Sequence, residues 1–83
     1  MTRDYYEEAR GLVRDLRAAA ASQEAAADRI EEAIAAGFTA TEILMGVRFQ
    51  IRSLLAEETA SLSVVLTKTA TELAGAIDEA LGG

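Results

Sequence analysis

The sequence contains no cysteine, histidine, proline or tryptophan. Without histidine and cysteine it lacks the side chains that most often act as bases, nucleophiles and zinc ligands. The adjacent carboxylates Glu31-Glu32 and Glu57-Glu58 point about 100° apart on a helix, so neither pair converges on one proton or metal ion. We therefore expect no catalytic residue, no metal site, no cofactor and no small-molecule substrate, and predict that the protein is not an enzyme.

Long apolar runs are also missing. The longest uncharged stretches, 33–41 and 59–67, have nine residues each, whereas a membrane-spanning helix needs about 20. The first eight residues contain no apolar segment of the kind found in signal peptides. These features predict a cytoplasmic protein that does not enter the membrane.

Positive charge is scarce, because 14 acidic residues outnumber 8 basic ones and the net charge is −6. An acidic chain repels phosphate groups, so a nucleic-acid partner is not favoured, whereas a basic protein would be attracted. Arg10, Arg14 and Arg17 nevertheless form a basic strip. They are the residues that would contact nucleic acid if the protein were a transcription or RNA regulator.

The residues that are present favour helix. The 83 residues form one small domain, residues 1–83, and 51% are hydrophobic, although 18 of these are alanines. Alanine, leucine, glutamate and arginine are strong helix formers. A core of this size is modest, so oligomerisation or a partner would add to it.

Apolar spacing predicts an all-α fold with two long helices. Apolar positions from Tyr5 to Ala33 alternate in steps of four and three, which predicts a helix over about 3–36. A second apolar line predicts a helix over about 40–81. This line shifts by one residue after Leu54, so a kink or break is expected near 57–61. Ser22 could instead cap a separate helix within the first segment.

The turn between the two segments carries coincident stop and start signals. Gly37 suits the position after a helix end. Thr39 and Glu42 have the spacing of a capping box, and Phe38 and Ile43 that of a hydrophobic staple. These signals predict a helix–turn–helix junction.

An antiparallel hairpin centred on Phe38 brings opposite charges together, for example Arg17 with Glu57 and Asp28 with Arg48. The apolar stripe is wider than one partner helix can cover. We therefore expect two coiled-coil-like hairpins to pair as a homodimeric four-helix bundle. The alternative is a monomeric three- or four-helix bundle, with the chain broken near Ser22 and Glu58.

The candidate binding residues lie on the second segment. On a helix, Met45 and Phe49 fall outside the apolar stripe, and Arg48 and Arg52 lie between the stripe and these two residues. Aromatic, methionine and arginine side chains are enriched in binding hot spots. We predict that Met45, Arg48, Phe49 and Arg52 bind protein, either a second protomer or a different partner.

The predicted function is that of a non-enzymatic protein–protein interaction module. Small size, acidity and the lack of catalytic groups suggest an inhibitor of the immunity-protein or antitoxin type, which neutralises a larger, basic protein. The alternative is a structural or chaperone-like assembly subunit that acts as a dimer.

Overall fold

Three of the described helices begin at a short polar side chain that accepts a backbone hydrogen bond. The computed structural model describes residues 4–19, 23–58 and 62–82. These residues form four α-helices: α1 (Tyr5–Ala19), α2 (Glu24–Ala36), α3 (Ala40–Glu58) and α4 (Val64–Ala80). Asp4 accepts a hydrogen bond from the Glu7 N–H, and Ser63 accepts one from the Leu66 N–H, both over 3.1 Å. None of the described residues lies in a strand, and the all-α prediction is confirmed.

The junction between α2 and α3 contains the predicted capping box. The Glu42 N–H donates to Thr39 Oγ1 over 3.1 Å, and Glu42 Oε2 accepts from the Phe38 N–H over 3.2 Å. Gly37 has φ −76° and ψ 144°, so it is extended rather than left-handed. The predicted staple is wrong: Phe38 is 94% exposed. Gly37 lies against Ile43 instead, since a Cβ atom on Gly37 would be 2.5 Å from Ile43 Cγ1.

The first predicted helix is in fact two. Arg17 of α1 forms ion pairs with Asp28 and Glu31 of α2, each over 2.6 Å. In one straight helix, residues 17 and 28 would be about 16 Å apart, so the chain reverses between α1 and α2 and the prediction of a continuous helix over 3–36 is wrong. Because of the reversal, the apolar stripe of α1 packs against α2 of the same chain. Ser22, the alternative cap, lies outside the described residues.

The second predicted helix also divides. α3 ends at Glu58 and α4 begins at Val64, and residues 59–61 of the predicted kink lie outside the described residues. Arg48 of α3 is 2.6 Å from Asp78 of α4, so α4 runs back along α3. The second segment is therefore two helices, and α3 ends within the range 57–61 where a kink or break was predicted. The hairpin register predicted that Arg17 pairs with Glu57 and that Arg48 pairs with Asp28. In the structure Arg17 pairs with Asp28 and Glu31 instead, and Arg48 pairs with Asp78.

The four helices form a ring. Each helix packs on the next in sequence, and α4 packs on α1, which gives an up-down-up-down four-helix bundle from one chain. This is the arrangement of the single-chain alternative, while pairing of two chains remains a prediction. The radius of gyration is 11.8 Å, as expected for one compact domain of this length, about 12 Å. The core consists of buried apolar residues from all four helices: Ala9, Leu12, Val13, Leu16, Ala26, Ala27, Ile30, Val47, Ile51, Leu54, Leu66, Ala70, Leu73, Ala74 and Ile77.

Candidate protein-binding surface on the third helix

The two sides of α3 differ in exposure to solvent. Val47, Ile51 and Leu54 point into the bundle and are at most 1% exposed. Met45 and Phe49 lie one turn apart on the opposite side and are 49% and 66% exposed. We call Met45, Arg48, Phe49 and Arg52 the α3 outer surface. The structure therefore brings the four predicted binding residues together on one face, with the apolar pair in solvent.

One edge of the α3 outer surface is positively charged. Arg48 Nη1 lies 2.6 Å from Asp78 Oδ1, and Arg52 Nη2 lies 3.4 Å from the same oxygen. The Arg48 and Asp78 side chains are mostly buried, whereas the Arg52 side chain is 57% exposed. Two guanidinium groups share one carboxylate, so the edge keeps an excess of one positive charge. Arg52 can contact a partner while Arg48 fixes the orientation of α3 against α4.

The other edge of α3 faces α2. A Cβ atom on Gly46 would lie 3.3 Å from Ala33 Cβ, so α3 and α2 approach closely there. Glu42 lies in the first turn of α3 and is exposed. The outer side of the helix thus carries an acidic group near its start, two apolar side chains in the middle and an exposed arginine beyond them.

Sequence reasoning missed the exposure of Phe38. This residue precedes α3 at the end of the bundle where the α3 outer side begins, and it was assigned to the staple. Val64 and Val65, in the first turn of α4 at the opposite end, are also 85% and 73% exposed. The exposure of Phe38 could have been predicted from Gly37. Because glycine has no side chain, its backbone can occupy the position next to Ile43 that the staple assigns to Phe38.

The basic strip on α1 borders a groove between α1 and α2. Arg10, Arg14 and Arg17 line it together with Val13 and Glu31, and its volume is about 350 Å³. Hydrogen bonds to Asp28 and then to Glu31 raise the pKa of Arg17 above its ordinary value. Arg17 therefore links α1 to α2, and Arg10 and Arg14 are exposed beside it on the same strip.

Among the residues that the structure describes, no group of three or more metal-binding side chains could hold a metal ion. None of the helices in those parts of the chain is both long and apolar enough to cross a bilayer.

The chain has no significant match to a protein-family model, to a curated protein or to a solved structure.

Proposed function

We propose that this protein is a non-enzymatic protein-binding module that recognises its partner through the α3 outer surface. The observation that carries the proposal is the exposure of Met45 and Phe49 on a helix whose inner side is already filled by Val47, Ile51 and Leu54. Large apolar side chains in water are unfavourable, and burying one fully contributes about 1.5–3 kcal/mol. A partner would supply that burial.

The composition of the surface supports the same proposal. Binding hot spots are enriched in aromatic residues, methionine and arginine, and they combine an apolar centre with a polar rim. Phe49 and Met45 would form the centre. Arg52 would form the rim, and Asp78 already holds Arg48 and Arg52 beside the apolar pair, so less side-chain freedom is lost on binding.

An inhibitor-type role is a narrower form of this proposal. The net charge of −6 would attract a basic target over distances of about a Debye length. Exposed acidic groups on α2, such as Glu24 and Glu32, would take part in that attraction. The apolar contact with the α3 outer surface would then hold the complex together.

Site-specific photocrosslinking tests the proposal. Benzoylphenylalanine in place of Phe49 should give discrete protein adducts in native lysate, and mass spectrometry would identify them. The matched control carries the same group in place of Thr71, which is exposed on α4. Adducts from position 49 that are lacking at position 71 are expected. No adducts at position 49, or the same adducts at both positions, would refute a binding role for this surface.

A further inference from the structure

The outer side of α3 is self-complementary about the level of Val47. Counted along the chain from Val47, Met45 lies two residues before and Phe49 two residues after. Glu42 lies five residues before and Arg52 five residues after. When such a helix meets a reversed copy of itself, each of these residues faces the other member of its pair.

The same residues share one face of the helix. At 100° per residue, Glu42, Met45, Phe49, Arg52 and Ala56 fall within an arc of about 80°. This arc lies opposite the side that carries the buried Val47, Ile51 and Leu54. One partner helix can therefore contact all of these residues at once, with Met45 and Phe49 near the centre of the contact.

We infer that the α3 outer surface binds a second copy of this chain, with the two α3 helices antiparallel. The two-fold axis would cross the outer surface at the level of Val47 along the helix. This inference rests on the proposed protein-binding function and names the partner. Met45 would pack on Phe49 of the partner subunit, and Glu42 would pair with Arg52 of the partner subunit. A two-fold axis repeats each contact, as in isologous dimers.

The arrangement of size and charge selects a second copy over a different protein. A partner must present a cation opposite Glu42, apolar groups opposite Met45 and Phe49, and an anion opposite Arg52, in that order. The reversed α3 helix presents this order itself.

The charged groups can make these contacts without losing the ones they have. A carboxylate has two oxygens, and Glu42 uses Oε2 to accept from the Phe38 N–H. A guanidinium has five N–H donors, and Arg52 reaches Asp78 only over 3.4 Å. Glu42 and Arg52 thus each keep capacity for a partner across the axis.

Sedimentation equilibrium with charge-reversed variants tests the inference. The full chain should form a reversible dimer. Glu42→Arg and Arg52→Glu each place like charges opposite one another at both symmetric positions, and each should raise the dimer Kd by about tenfold. An equimolar mixture of the two variants restores both opposite-charge pairs, so it should dimerise as the unaltered chain does.

The mixture separates a pairing effect from damage to the fold. Glu42→Arg also removes the contact to the Phe38 N–H, so Glu42→Gln serves as a control that can keep this contact without the charge. Circular dichroism would check the helix content of each variant. If the mixture stays as weak as the single variants, the antiparallel pairing is wrong.

A chain that remains monomeric up to about 1 mM, a concentration at which even millimolar Kd values give substantial complex, would overturn the inference. The proposed function would still stand if the group at position 49 crosslinked to a different protein. It would fall separately if position 49 gave no specific adduct.

Discussion

Arg48 of α3 and Asp78 of α4 form an ion pair over 2.6 Å, and both side chains are largely shielded from water. Arg52 shares the same carboxylate oxygen. The contact joins α3 to α4 through two residues that are 30 positions apart in the sequence. It also fixes the charged edge of the α3 outer surface.

Replacing this carboxylate should weaken the bundle. Asp78→Asn keeps the shape but leaves Arg48 without its charged partner in a partly buried position, so the free energy of unfolding should fall by about 1 kcal/mol. Urea denaturation would measure the change. Glu79→Gln, on an exposed neighbour, should change it by less than about 0.5 kcal/mol. Equal effects of the two substitutions would show that the pair contributes no more than an ordinary surface charge.

Two glycines should respond to alanine in opposite directions. A Cβ atom on Gly37 would meet Ile43 Cγ1 at 2.5 Å and the Ile43 backbone nitrogen at 2.9 Å, so Gly37→Ala should lower the free energy of unfolding by about 1–3 kcal/mol. Gly75 lies within α4 and has nothing within 4 Å of the added Cβ. Gly75→Ala should therefore raise it by about 0.5–1 kcal/mol. Thermal unfolding would compare them, and two Tm shifts of the same sign would contradict the geometry of the turn.

Phe49 should be dispensable for folding. Its side chain is mainly in solvent, whereas Ile51 on the same helix is fully buried. Phe49→Ser should change the free energy of unfolding of the monomer by less than about 0.5 kcal/mol, and Ile51→Ala should lower it by about 2–5 kcal/mol. Denaturation at low protein concentration would separate the two. A large loss from Phe49→Ser would assign this residue to the core.

The alanine positions in the core should not accept a larger side chain. Ala27 is fully buried in the bundle, and Ala25 on the same helix is exposed. Ala27→Leu should lower the free energy of unfolding by about 1–3 kcal/mol because the added atoms have no space, while Ala25→Leu should be almost neutral. Chemical denaturation of the two variants would reveal the difference. Tolerance of leucine at position 27 would mean that the helices can move apart freely.

Stability should be nearly independent of pH close to neutrality. Hydrogen bonds to Asp28 and Glu31 raise the pKa of Arg17, and stabilisation by a group with a raised pKa is lost only as the pH rises through that value. For arginine this occurs above about pH 12. The sequence has no histidine and no cysteine, whose ordinary pKa values are about 6.5 and 8.5.

The free energy of unfolding should change by less than about 0.5 kcal/mol between about pH 6 and 7.5. Denaturation across that range would test this, and a slope of about 1.4 kcal/mol per pH unit would show that a group changes its protonation on unfolding, which contradicts the prediction.

Local signals in the sequence predicted local structure well. The capping box at Thr39 and Glu42 was predicted because its side-chain oxygens and the nearby N–H groups lie within four residues of each other. The exposure of Met45 and Phe49 followed from helix geometry alone. Phe38 was assigned wrongly, because its staple pattern competes with the close approach of Gly37 to Ile43, which depends on the path of the backbone.

The reversal between α1 and α2 could not be predicted from the spacing of apolar residues. Alanine is equally suited to the middle of a helix and to the tight contact between two helices, so the run Ala18–Ala21 fits both a continuous and a broken helix. Charge pairing did not decide between them either. Arg17 has an acidic partner in the hairpin register, at Glu57, and another in the bundle, at Asp28, and each exposed pair contributes under about 1 kcal/mol.

The ring of helices also determines how the chain assembles. Of the four main interfaces, three join helices that follow one another in sequence, and only the contact between α1 and α4 joins distant ones. Folding therefore needs one long loop closure, and topologies with so many local contacts reach the native state in microseconds to milliseconds. The α1–α4 contact is also the smallest of the four. We therefore expect the ring to open first between α1 and α4.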